Sequence, residues 1–314
     1  MTLFLLAVFI LLQVPTYSQS QSPALEIVES IPIETNLDNA DIRDATDVWL
    51  EMINGAKQML DFEQFYISPQ KGEPLDTILS AIQQAAARGV KVRFIVDSRM
   101  YKTYPETVDK WNALNKADVR AGMFPEARVL DFGKAGGGIQ HAKFFIVDGE
   151  EIFLGSQNFD WRALKHIHEL GIRLRHKDAV ALYQDIFELD WKLCEASNSE
   201  KLKIPVERKT YKTLFQLISE VKDTVTFTPT YSPKAYIADT TLWDEPQILN
   251  LINSAKQEVM LQFLSYSTRA RDGSTYSAIQ DAMKAAAARG VRVKMIVSDW
   301  EKDHPAVDSL KALS

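Results

Sequence analysis

Residues 136–171 concentrate the side chains that could act on a phosphate group. Successive side chains of a β-strand point to opposite faces, so a strand through this stretch would project His141 and Lys143 from the same face. An imidazole can attack phosphorus or shuttle a proton near neutral pH, and a neighbouring ammonium group can hold a phosphate oxygen. The pair therefore predicts phosphoryl chemistry.

A second apolar strand, predicted at residues 151–154, should deliver small polar residues to the same place. Gly155, Ser156 and Asn158 follow it on a turn, and residue types of this kind suit the binding of an anion. The glycines at 136–138 should let backbone approach the mouth of the first strand.

These residues fit one spacing pattern, H-x-K-x4-D-x6-G-S-x-N, filled by His141, Lys143, Asp148, Gly155, Ser156 and Asn158. The pattern resembles the signature of the phospholipase D superfamily. Within that superfamily, the segments NFDWRAL at 158–164 and ELGI at 169–172 resemble the animal endolysosomal phospholipase-D-like exonucleases and their bacterial relatives.

The resemblance implies a mechanism in which two such motifs meet across a pseudo-two-fold axis. One histidine attacks the phosphodiester to give a phosphohistidine, the other protonates the leaving group, and neither a metal nor a cofactor is required. His141 would be the nucleophile, with Lys143, Ser156 and Asn158 as the phosphate clamp.

Two further acidic residues are assigned by the same resemblance. Glu169 matches the acid that orients the histidine of the opposite half, and it is expected in the catalytic set. Asp148, also counted with the catalytic motif, matches a position that usually bonds within its own half.

Three features of this region have an alternative interpretation. A lone histidine on a strand is commonly a surface or core residue, but the shared lysine and the Gly-Ser-x-Asn turn favour chemistry. His166, His168 and Glu169, with His176 nearby, could hold a metal, but no H-E-x-x-H helix accompanies them, so no metal site is expected. Positive residues in 162–165 could line an entrance, but the solvated face of a helix is the favoured interpretation.

Length, charge and cysteine content exclude several classes of protein but do not identify a substrate. The chain has 314 residues, 46% of them hydrophobic and 25% charged, which suits two domain-sized units with sizeable cores. A net charge of −6 excludes a generally cationic surface, although a local basic cleft remains compatible. The single cysteine, Cys194, excludes an intramolecular disulfide framework and a thiolate zinc site, and its helical spacing from Trp191 indicates core packing.

The N-terminus predicts export. Residues 3–14 are almost wholly apolar, too few to span a bilayer but suited to the core of a secretory signal. We therefore expect a signal peptide at residues 1–22 and a secreted or periplasmic protein. The n-region lacks Lys and Arg, so a buried N-terminal helix is the alternative.

Hydrophobic periodicity predicts β-α-β connectivity in the first part of the chain. The expected elements are a helix at 41–56, a strand at 60–67, a helix at 75–88 ended by Gly89, a strand at 90–96, a helix around 111–114, a strand at 128–132 and a helix at 179–193.

The chain then repeats itself at an offset of roughly 200 residues. INGAKQ at 53–58 matches INSAKQ at 252–257, and AAARGVKVR at 85–93 matches AAARGVRVK at 286–294. We predict a duplicated domain, with a first half at 23–205 and a second at 206–314, divided near Pro205. A counterpart of His141 would fall beyond Ser314, so the second copy is expected to be truncated and the general acid is not assigned. The 314 residues alone are therefore expected to be nearly inactive.

The predicted fold is α/β: a duplicated phospholipase-D-like domain with a mixed β-sheet flanked by helices. The expected function is that of a phosphodiesterase that hydrolyses or transfers phosphodiesters of phospholipids or single-stranded nucleic acid. A catalytically silent scaffold or binding protein is one alternative, and a homodimer that pairs two copies of His141 is another. Contact with a membrane surface and the oligomeric state stay open.

Overall fold

The computed structural model describes residues 23–117, 124–135, 138–196, 206–219, 222–270 and 273–311. The predicted signal peptide at 1–22 and the predicted boundary at Pro205 lie outside these residues. Within the described ranges, every helix is too short or too polar to cross a membrane.

The described residues form two compact units. The first draws on the described residues within 23–129, 140–180 and 217–225, and the second on those within 130–139, 181–216 and 226–311. The strands in chain order are β1 (Leu25–Ser30), β2 (Arg43–Asp44), β3 (Met59–Gln64), β4 (Ile67–Ser68), β5 (Lys91–Asp97), β6 (Glu126–Leu130), β7 (Lys143–Val147), β8 (Glu151–Gly155), β9 (Phe159–Asp160), β10 (Glu169–Arg175), β11 (Phe215–Ile218), β12 (Thr224–Phe227), β13 (Glu258–Phe263) and β14 (Arg292–Val297). The α-helices are α1 (Ala45–Gly55), α2 (Pro74–Ala87), α3 (Ser98–Tyr101), α4 (Glu106–Ala117), α5 (Phe132–Ala135), α6 (Lys177–Ala196), α7 (Asp244–Ser254), α8 (Ala278–Ala288) and α9 (Pro305–Lys311).

One mixed sheet organises the first unit, with strand order β2-β1-β10-β8-β7-β3-β5-β6. β3 and β5 are parallel, as the β-α-β pattern predicts, whereas β7 is antiparallel to both β3 and β8. The carboxyl ends of β3, β5 and β8 therefore meet the amino ends of β7 and β10 at one edge of the sheet. The predicted α/β fold with a mixed sheet is confirmed.

Local chemistry explains where the helices begin and end. The predicted helix at 41–56 begins instead at Ala45, because the Asp44 carboxylate accepts a hydrogen bond from the backbone N–H of Thr46 and caps the first turn. Pro74 opens α2, where its fixed φ is favourable. The predicted left-handed Gly89 after α2 is confirmed by its φ of +94°.

Aromatic rings fill the core of the first unit. Trp49 stacks on Phe159 at a centroid distance of 5.4 Å, and Phe62 stacks on Phe94 at 4.2 Å. Burying each such side chain contributes roughly 1.5–3 kcal/mol. This packing holds α1 against the strands that carry the candidate site.

The sheet also buries an ion pair. Asp61 and Arg93 are register partners in β3 and β5, and their side chains form a bidentate pair with Nε–Oδ1 and Nη2–Oδ2 distances of 2.7 and 2.8 Å. Both side chains are almost fully buried. The pair satisfies charges that would otherwise destabilise the sheet, and it fixes the register of the two strands.

The second unit repeats the helix-strand-helix-strand order of the first. α7, β13, α8 and β14 correspond to α1, β3, α2 and β5, and β13 and β14 are again parallel. One hydrogen-bond pattern recurs as well: Arg88 Nη2 donates to the carbonyls of Ile53 and Asn54.

In the second unit, Arg289 Nη2 donates to the carbonyls of Ile252 and Asn253. Gly290 has a φ of +83°, like Gly89. The duplication inferred from the repeat is therefore present in the backbone and in its side-chain contacts.

Candidate functional site

The candidate site lies at the sheet edge where β7 begins. The sequence predicted one strand through His141 and Lys143, but β7 starts only at Lys143, and His141 lies in the extended segment before it. His141 is exposed, whereas Lys143 is buried.

Side-chain hydrogen bonds hold the segment before β7. The Gln140 backbone N–H donates to Asp97 Oδ2 at 2.9 Å, and Gln140 Nε2 donates to Glu63 Oε1 at 3.0 Å. The other oxygen of Asp97 accepts backbone hydrogen bonds from Arg99 and Met100 at the start of α3. These contacts explain why the strand does not extend back to His141.

Sequence reasoning missed these anchoring residues, although one signal was available. Asp97 directly follows a predicted buried strand, and ligand sites of α/β sheets gather at the carboxyl ends of strands. Nothing comparable in the sequence marks Gln140, which is buried.

Phe65 lies between the two candidate functional groups. The imidazole of His141 meets the Phe65 ring edge-on at a centroid distance of 4.4 Å, and Lys143 Nζ lies 5.3 Å from the centre of the same ring. Lys143 Nζ also donates to the carbonyl of His141 at 2.8 Å. The structure thus places the histidine and the lysine around one aromatic ring.

Burial sets the protonation of the site. Partial desolvation of the His141 ring, which packs against Phe65, lowers its pKa. The ammonium of Lys143 lowers this pKa further, and Asp97 opposes both effects. Burial also lowers the pKa of Lys143 to about 8 and raises the pKa of Glu169 to about 7, while the attraction between these two residues opposes each shift. At neutral pH the imidazole is therefore mainly neutral and Lys143 mainly charged.

The turn after β8 brings further polar groups to this edge. Ser156 Oγ accepts a hydrogen bond from the backbone N–H of Leu170 at 3.3 Å. Asn158 Oδ1 and Glu169 Oε2 are buried and lack a hydrogen-bond partner within the described part of the chain. The predicted Ser156, Asn158 and Glu169 thus reach the same sheet edge as Lys143.

Asp148 does not join this group. It lies in the turn between β7 and β8, at the far end of β7 from His141, and its carboxylate accepts three backbone hydrogen bonds. The donors are the N–H groups of Lys57, Gln58 and Met59, at 2.8–2.9 Å. Asp148 therefore joins the loop before β3 to the β7–β8 turn, away from His141.

Two facing glycines make room behind the site. Gly155 and Gly171 are register partners in β8 and β10. A Cβ on Gly155 would lie 2.8 Å from Gly171 Cα and 3.0 Å from the Leu170 carbonyl oxygen, which are backbone atoms that cannot rotate away. The Gly-Ser-x-Asn turn needs glycine here for close approach of two strands.

We expect Gly155→Ala to lower the free energy of unfolding by about 1–3 kcal/mol, because the added methyl overpacks a closed interface. Thermal denaturation would show a Tm lower by several degrees. Gly55→Ala is the matched control, since a Cβ there meets nothing within 4 Å. An unchanged Tm for Gly155→Ala would contradict the close approach.

The alternative residues for metal binding have other partners. His166 Nδ1 lies 2.6 Å from Glu34 Oε1, and His168 Nε2 lies 3.3 Å from Glu29 Oε2. Across the residues that the structure describes, no group of three or more His, Cys, Asp or Glu side chains is arranged to hold a metal ion.

The interpretation of 162–165 as the solvated face of a helix is wrong. Residues 161–166 form turns, Arg162 bonds to Asp160, and Lys165 Nζ donates to Glu73 Oε2 at 2.6 Å. Both cations are held by acidic partners.

The sheet of the first unit thus carries the histidine–lysine pair and the Gly-Ser-x-Asn turn at one edge, an arrangement that could bind a phosphate group. Comparison with known families agrees with this: the family described as cardiolipin synthase, PLD-like domain, matches residues 49–191. Residues 49–191, a little under half of the chain, thus match the model of a phospholipase-D-like domain.

Individual relatives extend the similarity beyond this domain. The chain is 28% identical over 307 residues to the 5'-3' exonuclease PLD3 of Bos taurus, covering 90% of this chain and 59% of the relative. It is 25% identical over 331 residues to phospholipase D Y of Dictyostelium discoideum, covering 93% of this chain and 72% of the relative. The chain thus spans little more than half the length of the bovine relative.

A solved structure shares the fold. The crystal structure of phosphatidylserine synthase from Haemophilus influenzae Rd KW20 aligns with a TM-score of 0.58 and 14% identity, covering 81% of this chain and 59% of that one. This likeness concerns the fold alone.

Proposed function

We propose that the protein hydrolyses or transfers phosphodiesters through a phosphohistidine formed on His141. The observation that carries the proposal is the placement of the His141 imidazole and the buried Lys143 ammonium around Phe65 at the sheet edge. Within the described residues, the imidazole makes no hydrogen bond, so a ring nitrogen is available for attack.

The chemistry divides into two displacements at phosphorus. In the first, a nitrogen of His141 forms a P–N bond while the ester P–O bond breaks and the leaving oxygen takes up a proton. In the second, water or an alcohol breaks the P–N bond, loses a proton and restores the imidazole. Lys143 would neutralise charge on the phosphate oxygens during both steps.

Two kinds of substrate follow from the names of the relatives. The bovine relative is named an exonuclease and the Dictyostelium relative a phospholipase, and both kinds of substrate contain a phosphodiester. We propose phospholipid and single-stranded nucleic acid as substrates to be tested in parallel. The full-length protein should release product from at least one of these substrates, and absence of hydrolysis of both would overturn the proposal.

We expect the pH profile of kcat/KM to be bell-shaped. Activity should rise with pH as His141 loses its proton, below the ordinary histidine pKa of about 6.5, and should fall as Lys143 loses its proton near its pKa of about 8. Lys143→Arg provides the control, because an arginine stays charged and should remove the alkaline limb. An alkaline limb that persists in Lys143→Arg would contradict the assignment.

We also expect activity to be independent of added metal. Lys143, Ser156 and Asn158 would meet the phosphate charge, so dialysis against a strong chelator should leave the rate within about two-fold. The test compares dialysed protein with and without added zinc or manganese. Activity lost on dialysis and restored by either ion would contradict the proposal and turn attention to His166, His168 and Glu169.

A further inference from the structure

A row of aromatic rings leads away from His141. Phe65, which contacts the His141 imidazole, meets Tyr66 at a centroid distance of 5.5 Å. Tyr66 in turn stacks on Tyr104 at 5.0 Å, with only 20° between the ring planes. Phe65, Tyr66 and Tyr104 are all partly accessible to solvent.

Arg162 and Trp161 adjoin this row. The guanidinium of Arg162 lies 5.5 Å from the centre of the Trp161 ring, and the Tyr104 side chain lies near it. We call Phe65, Tyr66, Tyr104, Trp161 and Arg162 the aromatic ledge.

A buried carboxylate holds the ledge in place. Asp160 accepts two hydrogen bonds from the Arg162 guanidinium, at 3.0 and 2.6 Å, and one from the Tyr66 hydroxyl at 3.0 Å. Asp160 is only 2% exposed. Side chains fixed in this way lose little freedom when a flat ligand stacks on them.

The backbone joins the ledge to the candidate site. β4 and β9 pair in parallel, with Ser68 opposite Asp160, and the Trp161 N–H donates to the Ser68 carbonyl at 3.2 Å. Asn158 directly precedes β9 and Trp161 directly follows it, so Trp161 and Arg162 of the ledge lie close in the chain to the proposed phosphate clamp.

We propose that the aromatic ledge is a subsite that stacks a nucleobase of a single-stranded nucleic acid next to the phosphate held at His141. The inference rests on the proposed function and selects nucleic acid between its two substrate classes. Aromatic faces with an arginine suit the stacking of unpaired bases, whereas acyl chains would call for an aliphatic groove. Because Asp160 already neutralises the charge of Arg162, the ledge should bind mainly by stacking on the face of the base. Ionic attraction to the phosphate should contribute less.

The test measures binding, so it does not depend on turnover. A fluorescent single-stranded DNA of mixed sequence and an abasic strand of the same length are titrated against the full chain by anisotropy at fixed salt. We expect the base-containing strand to bind more tightly than the abasic strand. Tyr104→Leu should raise the Kd for the base-containing strand by about 5- to 100-fold and should change the Kd for the abasic strand little.

Two variants control the comparison. Tyr104→Phe keeps the ring but loses the hydroxyl, and it should retain most of the preference for bases. Tyr276→Leu removes an exposed tyrosine of the second unit and should bind as the unaltered chain does. Circular dichroism and thermal denaturation establish that each variant is folded.

Several results would overturn the inference. They are equal binding of the two strands by the unaltered chain, no binding of either strand, or unchanged binding in a folded Tyr104→Leu. A loss of binding to phospholipid vesicles rather than to DNA in Tyr104→Leu would assign the ledge to lipid instead. Failure of the proposed function is a separate result, because it would appear as absent hydrolysis with base-dependent binding intact.

Discussion

His141→Ala should lower kcat on a phosphodiester substrate by at least about 10⁴-fold, because it removes the nucleophile of the proposed covalent step. The fold should persist, since His141 is exposed and precedes β7. Replacing it removes an edge-on contact with Phe65 but no hydrogen bond of the imidazole within the described residues.

The measurement is a steady-state assay with matched protein preparations whose Tm values are compared. His304→Ala is a suitable control, because it removes a histidine that belongs to the second unit. An activity of His141→Ala above about one tenth of the unaltered rate would contradict the assignment of the nucleophile.

Lys143→Met should lower kcat/KM by about 10²- to 10³-fold, the loss typical of removing one preorganised group that stabilises transition-state charge. Methionine approximates the shape of the lysine stem, so packing around Phe65 and β7 should be kept. The effect should appear mainly in kcat if the ammonium acts on charge that develops during the reaction.

The same substitution should not destabilise the protein. The pKa of Lys143 falls to about 8 from its ordinary 10.5, so burial of the ammonium costs on the order of 3 kcal/mol. The stability contributed by Lys143 is accordingly present above pH 10.5 and is lost as the pH falls through about 8. Lys143→Met should keep or raise Tm near neutral pH, and a folded variant with unchanged kcat/KM would contradict the clamp.

The sequence predicted the chemical pair and the duplicated architecture because both depend on local patterns. His141 and Lys143 stand two residues apart, and the repeat records the same helix, glycine cap and parallel strand twice. The residue at which a strand begins was harder to predict from the sequence. β7 begins at Lys143 because Gln140 bonds to Asp97 and Glu63, residues more than 40 positions away.

Alternation of charged and apolar residues along a strand also gives a wrong prediction of exposure when the charged side chains are buried with partners. Asp61 and Glu63 alternate with apolar residues in β3, a pattern typical of a solvent-facing side, yet both are buried. Asp61 finds its partner Arg93 on β5. Such partners can be assigned only when the register of the sheet is known.

The aromatic ledge was hidden for the same reason. Tyr66, Tyr104 and Arg162 are far apart in sequence and come together through β4, β9 and the loop after α3. Sequence alone favoured a solvated helix for residues around Arg162, because it could not show that the buried carboxylate of Asp160 anchors the guanidinium. The site thus combines residues that are close in the sequence with residues that only strand pairing brings together.

The most direct test of the account is to trap the covalent intermediate. Protein mixed with a phosphodiester substrate is quenched rapidly under alkaline conditions, which preserve phosphohistidine, and its peptides are mapped by mass spectrometry. We predict a substrate-derived phosphoryl adduct on the peptide that contains His141, absent from His141→Ala. Turnover without an adduct at His141, or with an adduct on another residue, would contradict the proposed mechanism.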